Sequence, residues 1–170
     1  MELIIVRHAI AEERDAEQWP DDRGRPLTAA GIRRFRRTAR VIGRLVGEVD
    51  LVLTSPLERA RQTARILQRE AGWPEPKERT VLEPTQDPAA TVAVLAREKS
   101  AQRIALVGHE PHLCRLLSLL LAGAPEAVSF EVKKGGIAWL RYPGSVAAGG
   151  ATLRALLPPR VLLGEHDPRR

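Results

Sequence analysis

The chain contains a single cysteine, Cys114, so it cannot close an internal disulfide, and nothing in it calls for an oxidising compartment. Aromatic residues make up only 4% of it, which argues against the stacking platforms that hold single-stranded nucleic acid. Long apolar runs are missing as well. Residues 3–6 are too short a stretch for a secretory signal and lead straight into Arg7-His8, while residues 113–122 are interrupted by Arg115 and fall short of a bilayer's width. A cytoplasmic protein that binds neither membrane nor nucleic acid is the expectation. Three catalytic signatures are also absent: the Gly-x-Ser-x-Gly elbow of serine hydrolases, the phosphate-binding loop of nucleoside triphosphatases and the dinucleotide fingerprint.

What is present is ordinary globular composition. With 170 residues, 44% hydrophobic and 28% charged, the chain has enough material for one domain with a real core. Residues 1–163 are assigned to that domain, and the polar, basic residues 164–170 read as a flexible tail. The formal charge of +6 comes mostly from arginine and attracts anions without naming one.

Hydrophobic patterning predicts an α/β fold. Residues 3–6, 51–54 and 104–107 are continuous apolar runs, as in strands covered on both faces. Between them, Ile32, Phe35, Ala39, Ile42 and Val46 recur at helical spacing behind Thr28 as N-cap. Ser55-Pro56-Leu57-Glu58 has the form of a capping box opening a helix to about residue 71. Asp87-Pro88 and Pro111 open two more, the second ending near Gly123. Beyond that, residues 129–132, 137–142 and 151–157 read as strands with no helix between them, hence antiparallel additions. The predicted architecture is a three-layer sandwich: a mainly parallel central sheet, helices on both faces, and antiparallel strands near the C-terminus.

Two of the predicted strands end alike, in Arg7-His8 and in Gly108-His109, and a third ends at Thr54-Ser55 with Arg59 in the first turn of the following helix. Groups just past the carboxyl ends of parallel strands converge on the ligand crevice. An arginine at a helix N-terminus sits where the dipole is already positive, which is unfavourable unless an anion is bound there. The convergence predicts a phosphate site. A metal site competes for paired histidines, but Glu110-Pro111 between His109 and His112 breaks the metalloprotease pattern, and no metal or other cofactor is expected. His112 reads as a partly exposed residue at a helix start, and His166 as part of the tail. The route left open to phosphoryl transfer is a histidine nucleophile.

The segments Arg7-His8-Ala9, Ser55-Pro56-Leu57-Glu58-Arg59-Ala60-Arg61-Gln62-Thr63 and Gly108-His109-Glu110-Pro111 together resemble the histidine phosphatase (phosphoglycerate mutase-like) superfamily. Arg25-Pro26-Leu27-Thr28 with Gly31, and the short length, are similar to its small phosphohistidine phosphatase branch, where alanine also occurs at the position of Ala9. The resemblance implies that His8 is the nucleophile and that Arg7, Arg59 and His109 hold the phosphoryl oxygens. It also implies a general acid beyond the third strand-like segment. Glu83, after Val81-Leu82 at an expected strand end, is favoured over Asp87, which suits an N-cap. The substrate implied is phosphohistidine on a signalling protein. A small phosphate ester, cleaved or isomerised at the same site, is the alternative, and a non-catalytic phosphate or nucleic-acid binder a more distant one.

Overall fold

The computed structural model describes residues 1–165. Six strands form one mixed sheet: β1 (Glu2–Arg7), β2 (Leu51–Thr54), β3 (Lys77–Glu78), β4 (Arg103–Gly108), β5 (Ile137–Arg141) and β6 (Thr152–Leu157), in the order β3-β2-β4-β1-β5-β6. The first four in that order pair in parallel, and β5 and β6 add antiparallel beyond β1. Strand alternation divides the apolar runs between two cores. Ile4, Val6, Val52, Ala105 and Val107 face α1 (Ala29–Val46) and α2 (Glu58–Ala71). Leu3, Ile5, Leu53, Ile104 and Leu106 face the other way, toward α3 (Pro88–Leu95) and α4 (His112–Ala122). Both sheet faces are thus covered, as the unbroken apolar runs require.

The caps of α1 and α3 form as their sequences predict: Thr28 accepts the Gly31 N–H at 2.8 Å, and Asp87 accepts the Ala89 N–H at 2.9 Å. Gly31 has a second duty. A Cβ there would collide with the Ile10 carbonyl, which also receives the Thr28 N–H at 3.0 Å. The missing side chain lets the loop after β1 lie on the start of α1.

Four expectations need correction. The predicted capping box does not form: just past β2, the Ser55 N–H that the box would give to Glu58 donates to the Val107 carbonyl at 2.9 Å, the Ser55 hydroxyl accepts the Leu57 N–H at 3.3 Å, and α2 starts at Glu58 behind Leu57. Val81-Leu82 is not a strand but part of a 3-10 turn at Thr80–Leu82, with β3 lying just before it. Residues 129–132 make no strand, since side chains take the backbone groups a ladder would use: the Glu110 carboxylate accepts the Val132 N–H, and Arg7 donates to the Val132 carbonyl. His112 is fully buried rather than partly exposed. At the C-terminus, α5 (Pro159–Leu162) is followed by Glu165, whose carboxylate pairs with Arg34 at 2.5 Å. Residues 166–170 of the expected tail, His166 among them, lie outside the described residues.

Candidate active site

Strand β4 lies between β1 and β2, so the three predicted strand ends are neighbours. The β1–β4 ladder continues one step past Arg7, with the His8 N–H donating to the Gly108 carbonyl at 3.0 Å. That bond sets His8 beside His109, their ring centroids 5.0 Å apart and the planes inclined by 50°. Arg7, His8, Arg59 and His109 line one cleft of about 490 Å³. The structure therefore brings together all four residues expected to bind phosphate.

The tautomer of His8 follows from its neighbour. Its Nδ1 lies 2.7 Å from the Ala9 carbonyl, which can only accept, so Nδ1 carries the hydrogen and Nε2 keeps a bare lone pair. The Ala9 peptide is itself fixed: its N–H donates to Thr63 Oγ1 at 3.0 Å, and that hydroxyl donates to the Arg59 carbonyl at 2.7 Å. Burial pushes the His8 imidazole down to about 3, opposed by the Ala9 hydrogen bond and assisted by the charges of Arg59, Arg7 and Lys134. The ring is neutral at physiological pH, chiefly because it is buried and only secondarily because of the nearby arginines.

His109 is 2% exposed, and neither of its ring nitrogens meets a hydrogen-bond partner among the described residues. Burial, then the neighbouring His8 and Arg59, lowers its pKa to about 2. Arg7 Nη1 is anchored on the Val132 carbonyl at 2.8 Å, and Arg59 Nη1 on the Asp22 carbonyl at 2.8 Å. In both arginines Nε is buried and without a partner among the described residues. Unpaired buried donors on three side chains around one cleft are costly unless a ligand completes them.

Several cleft residues escaped the sequence reading. Arg25 lines the cleft, its Nε 2.7 Å from Asp22 Oδ1, while Arg59 Nη2 lies 3.0 Å from Asp22 Oδ2. One carboxylate thereby holds two cationic walls in place. Lys134 also lines the cleft, carried there by a turn whose Gly135 N–H points at the Arg7 and His8 carbonyls, 3.0 and 3.1 Å away. Arg25-Pro26-Leu27-Thr28 was visible as a motif, but nothing in it signalled a place beside His8.

The expected acid is less well placed. Glu83 is not among the residues lining the cleft, though Pro84 is. Its carboxylate is held in both oxygens by Arg23, at 2.8 and 3.1 Å. Asp87 is engaged as the cap of α3. Glu110 does line the cleft, but both its oxygens accept backbone N–H groups, from Cys114 and Val132. Among the described residues, no group of three histidine, cysteine or acidic side chains is placed to hold a metal ion.

Residues 3–83, which carry Arg7, His8 and Arg59, match the histidine phosphatase superfamily, branch 1. The chain belongs to the histidine phosphatase superfamily. An uncharacterized protein of Picosynechococcus sp. is 36% identical over 143 residues, spanning 83% of this chain and 85% of its own. Among solved structures, the protein histidine phosphatase SixA complexed with tungstate superposes with a TM-score of 0.79 at 25% identity, over 94% of this chain and 97% of that one. The α-ribazole phosphatase of Shigella flexneri shares the fold, with a TM-score of 0.72 at 20% identity over 94% and 97% of the two chains. This member of the superfamily is a phosphatase. No helix among its described residues is long and apolar enough to cross a membrane.

Proposed function

We propose that this phosphatase hydrolyses phosphohistidine on a signalling protein of the cytoplasm, without a metal, through a covalent phosphohistidine on His8. The observation that carries the reading is the fixed Nδ1–H tautomer of His8, which leaves Nε2 bare in a cleft walled by Arg7, Arg59 and His109. Nε2 attacks phosphorus in line as the bond to the substrate imidazole breaks, and water then attacks the phosphorus to release inorganic phosphate and free His8. The Ala9 carbonyl stabilises the positive charge that His8 acquires on phosphorylation. The arginine Nε groups and one N–H of neutral His109 supply donors for the non-bridging oxygens. SixA is named as a protein histidine phosphatase and carries tungstate, a tetrahedral dianion, which supports an oxyanion site in this fold.

The commitment of Glu83 to Arg23 supports the choice of substrate. A phosphohistidine whose second ring nitrogen is protonated departs as neutral imidazole and needs no acid from the enzyme. An ester's alkoxide does need one. Phosphoramidate or phosphohistidine protein is therefore expected to be cleaved with higher kcat/KM than sugar phosphates or phosphoglycerate at fixed ionic strength. Glu83→Gln should slow ester cleavage about tenfold and phosphoramidate cleavage less than twofold. A hundredfold preference for a phosphorylated metabolite would establish the small-molecule alternative instead. Exhaustive chelation should leave the rate unchanged; loss that zinc or magnesium restores would show a metal requirement.

A further inference from the structure

A second, larger depression of about 610 Å³ lies beside the phosphate cleft. Lys134 lines both, and two residues of the groove wall, Ala9 and Val132, offer the carbonyls that orient His8 and Arg7. The groove is thus one residue removed from the reacting atoms. Its surface is mainly apolar, formed by Ile10, Phe35, Leu157 and Pro158, and Ile10 is 38% exposed. Lys134 stands beside it, together with Arg34, which pairs with Glu165, and Lys133, which pairs with Glu131 on the same rim.

The charge continues outside the groove along α1. Arg33 and Arg37, one helical turn apart and both exposed, have no ion-pair partner among the described residues. Like charges at this spacing repel, at a cost of a few tenths of a kcal/mol. Their neighbours Arg36 and Arg40, by contrast, share Glu70. A small phosphate ester places its charge in the phosphate cleft and has nothing to offer cations on the outer flank of α1. An acidic protein segment does: its apolar side chains fill the groove while its carboxylates meet Arg33 and Arg37.

We propose that this groove and the arginine flank of α1 form the docking surface for an acidic, amphipathic segment of the protein that carries the phosphohistidine. The proposal rests on the function proposed above and adds the chemistry by which the partner is recognised. Docking there leaves the phosphoryl group to reach His8 past Lys134. Such an interface acts mainly on association and is sensitive to salt.

The test uses the full chain and two substrates, an acidic histidine-phosphotransfer domain phosphorylated on its histidine and phosphoramidate itself. Two charge-reversed variants are compared with wild type: Ile10→Glu with Arg34→Glu in the groove, and Arg33→Glu with Arg37→Glu on the exposed flank, where folding is not at stake. Each should raise KM for the phosphodomain at least tenfold, flatten its dependence on ionic strength, and leave phosphoramidate turnover within twofold. Wild-type rates on the phosphodomain in both variants would remove the docking surface while leaving phosphohistidine as the substrate. Equal losses on phosphoramidate would show that the groove only supports the catalytic loop. If wild type cleaves phosphoramidate and esters but not the phosphodomain, the proposed function fails, and the docking proposal falls with its occupant. Selective loss of ester turnover in the groove variant would instead make the groove a leaving-group pocket for a small molecule.

Discussion

His109 and His112 stand three residues apart, on either side of the start of α4, and both are buried. Their surroundings differ in kind. His112 sits in the layer between α3 and α4, with Nδ1 3.1 Å from the Gln86 carbonyl and Nε2 3.1 Å from Thr91 Oγ1, so both ring nitrogens are satisfied. His109 has the same burial and no partner on either nitrogen among the described residues. The first arrangement ties two helices and a turn together. The second holds hydrogen-bonding capacity in reserve for a ligand, at a cost to the folded state. Burial alone therefore does not distinguish a structural histidine from a functional one; the state of its ring nitrogens does.

The largest effect that would break this contrast belongs to His8. His8→Ala should lower turnover at least about a thousandfold, since it removes the one cleft histidine whose tautomer is fixed with Nε2 bare toward the phosphate site. Brief reaction with labelled substrate and an alkaline quench should leave acid-labile phosphate on His8 in the wild type. Label on a serine, or near-normal turnover in the variant, would overturn the covalent route.

The two neighbouring histidines give a sharper comparison. His109→Ala should cost about a hundredfold in kcat, as loss of one preorganised donor to the transition state does. It should leave the chemical denaturation midpoint level with or above wild type, because it removes two unsatisfied buried nitrogens. His112→Ala should do the reverse, lowering stability by about 2–3 kcal/mol through the cavity and the broken contacts, with kcat changed only a few-fold. Should His109→Ala prove the more destabilising of the pair, the reading of its environment as a ligand site would be wrong.

This contrast also marks where sequence reasoning stopped. Arg7, His8, Gly108 and His109 were legible because continuous apolar runs announce parallel strands, and whatever follows their carboxyl ends must meet at the crevice. Arg59 was legible from its place at the start of a helix, although that helix begins two residues later than its capping signal implies. Arg25, Asp22 and Lys134 were not, because loops carry them and tertiary contacts alone decide where those loops lie. Asp22 acts through two arginines, one of them 37 residues away, and the Lys134 turn is set by Gly135 bonding to β1. The satisfied state of His112 depends on Thr91 and Gln86, 21 and 26 residues earlier, and no local pattern records such pairings.

The smallest effect concerns acid. Burial lowers the pKa of all three described histidines, to about 3 for His8, to about 2 for His109, and below 6.5 for His112. In the unfolded chain each titrates near the ordinary value of 6.5. Below that pH the unfolded chain takes up protons that the folded protein refuses, so stability is lost as pH falls and regained as it rises. The window for His8 and His109 runs from about 6.5 down toward 3 and 2. Each ring contributes at most about 1.4 kcal/mol per pH unit in that window, less near 6.5 where titration is partial. Between pH 6.5 and 5.5 the unfolding free energy of wild type should therefore fall, and His109→Ala should fall less steeply by roughly half to one kcal/mol. Carboxylates contribute little in that interval, which keeps the comparison clean. Urea titrations at the two pH values on both proteins measure it directly. Tungstate should reverse the ordering: its negative charge favours protonated histidine in the cleft, so its presence should flatten the wild-type slope and leave that of His109→Ala less changed. A wild-type slope that tungstate does not alter would place the acid sensitivity outside the cleft, in His112 or elsewhere in the fold.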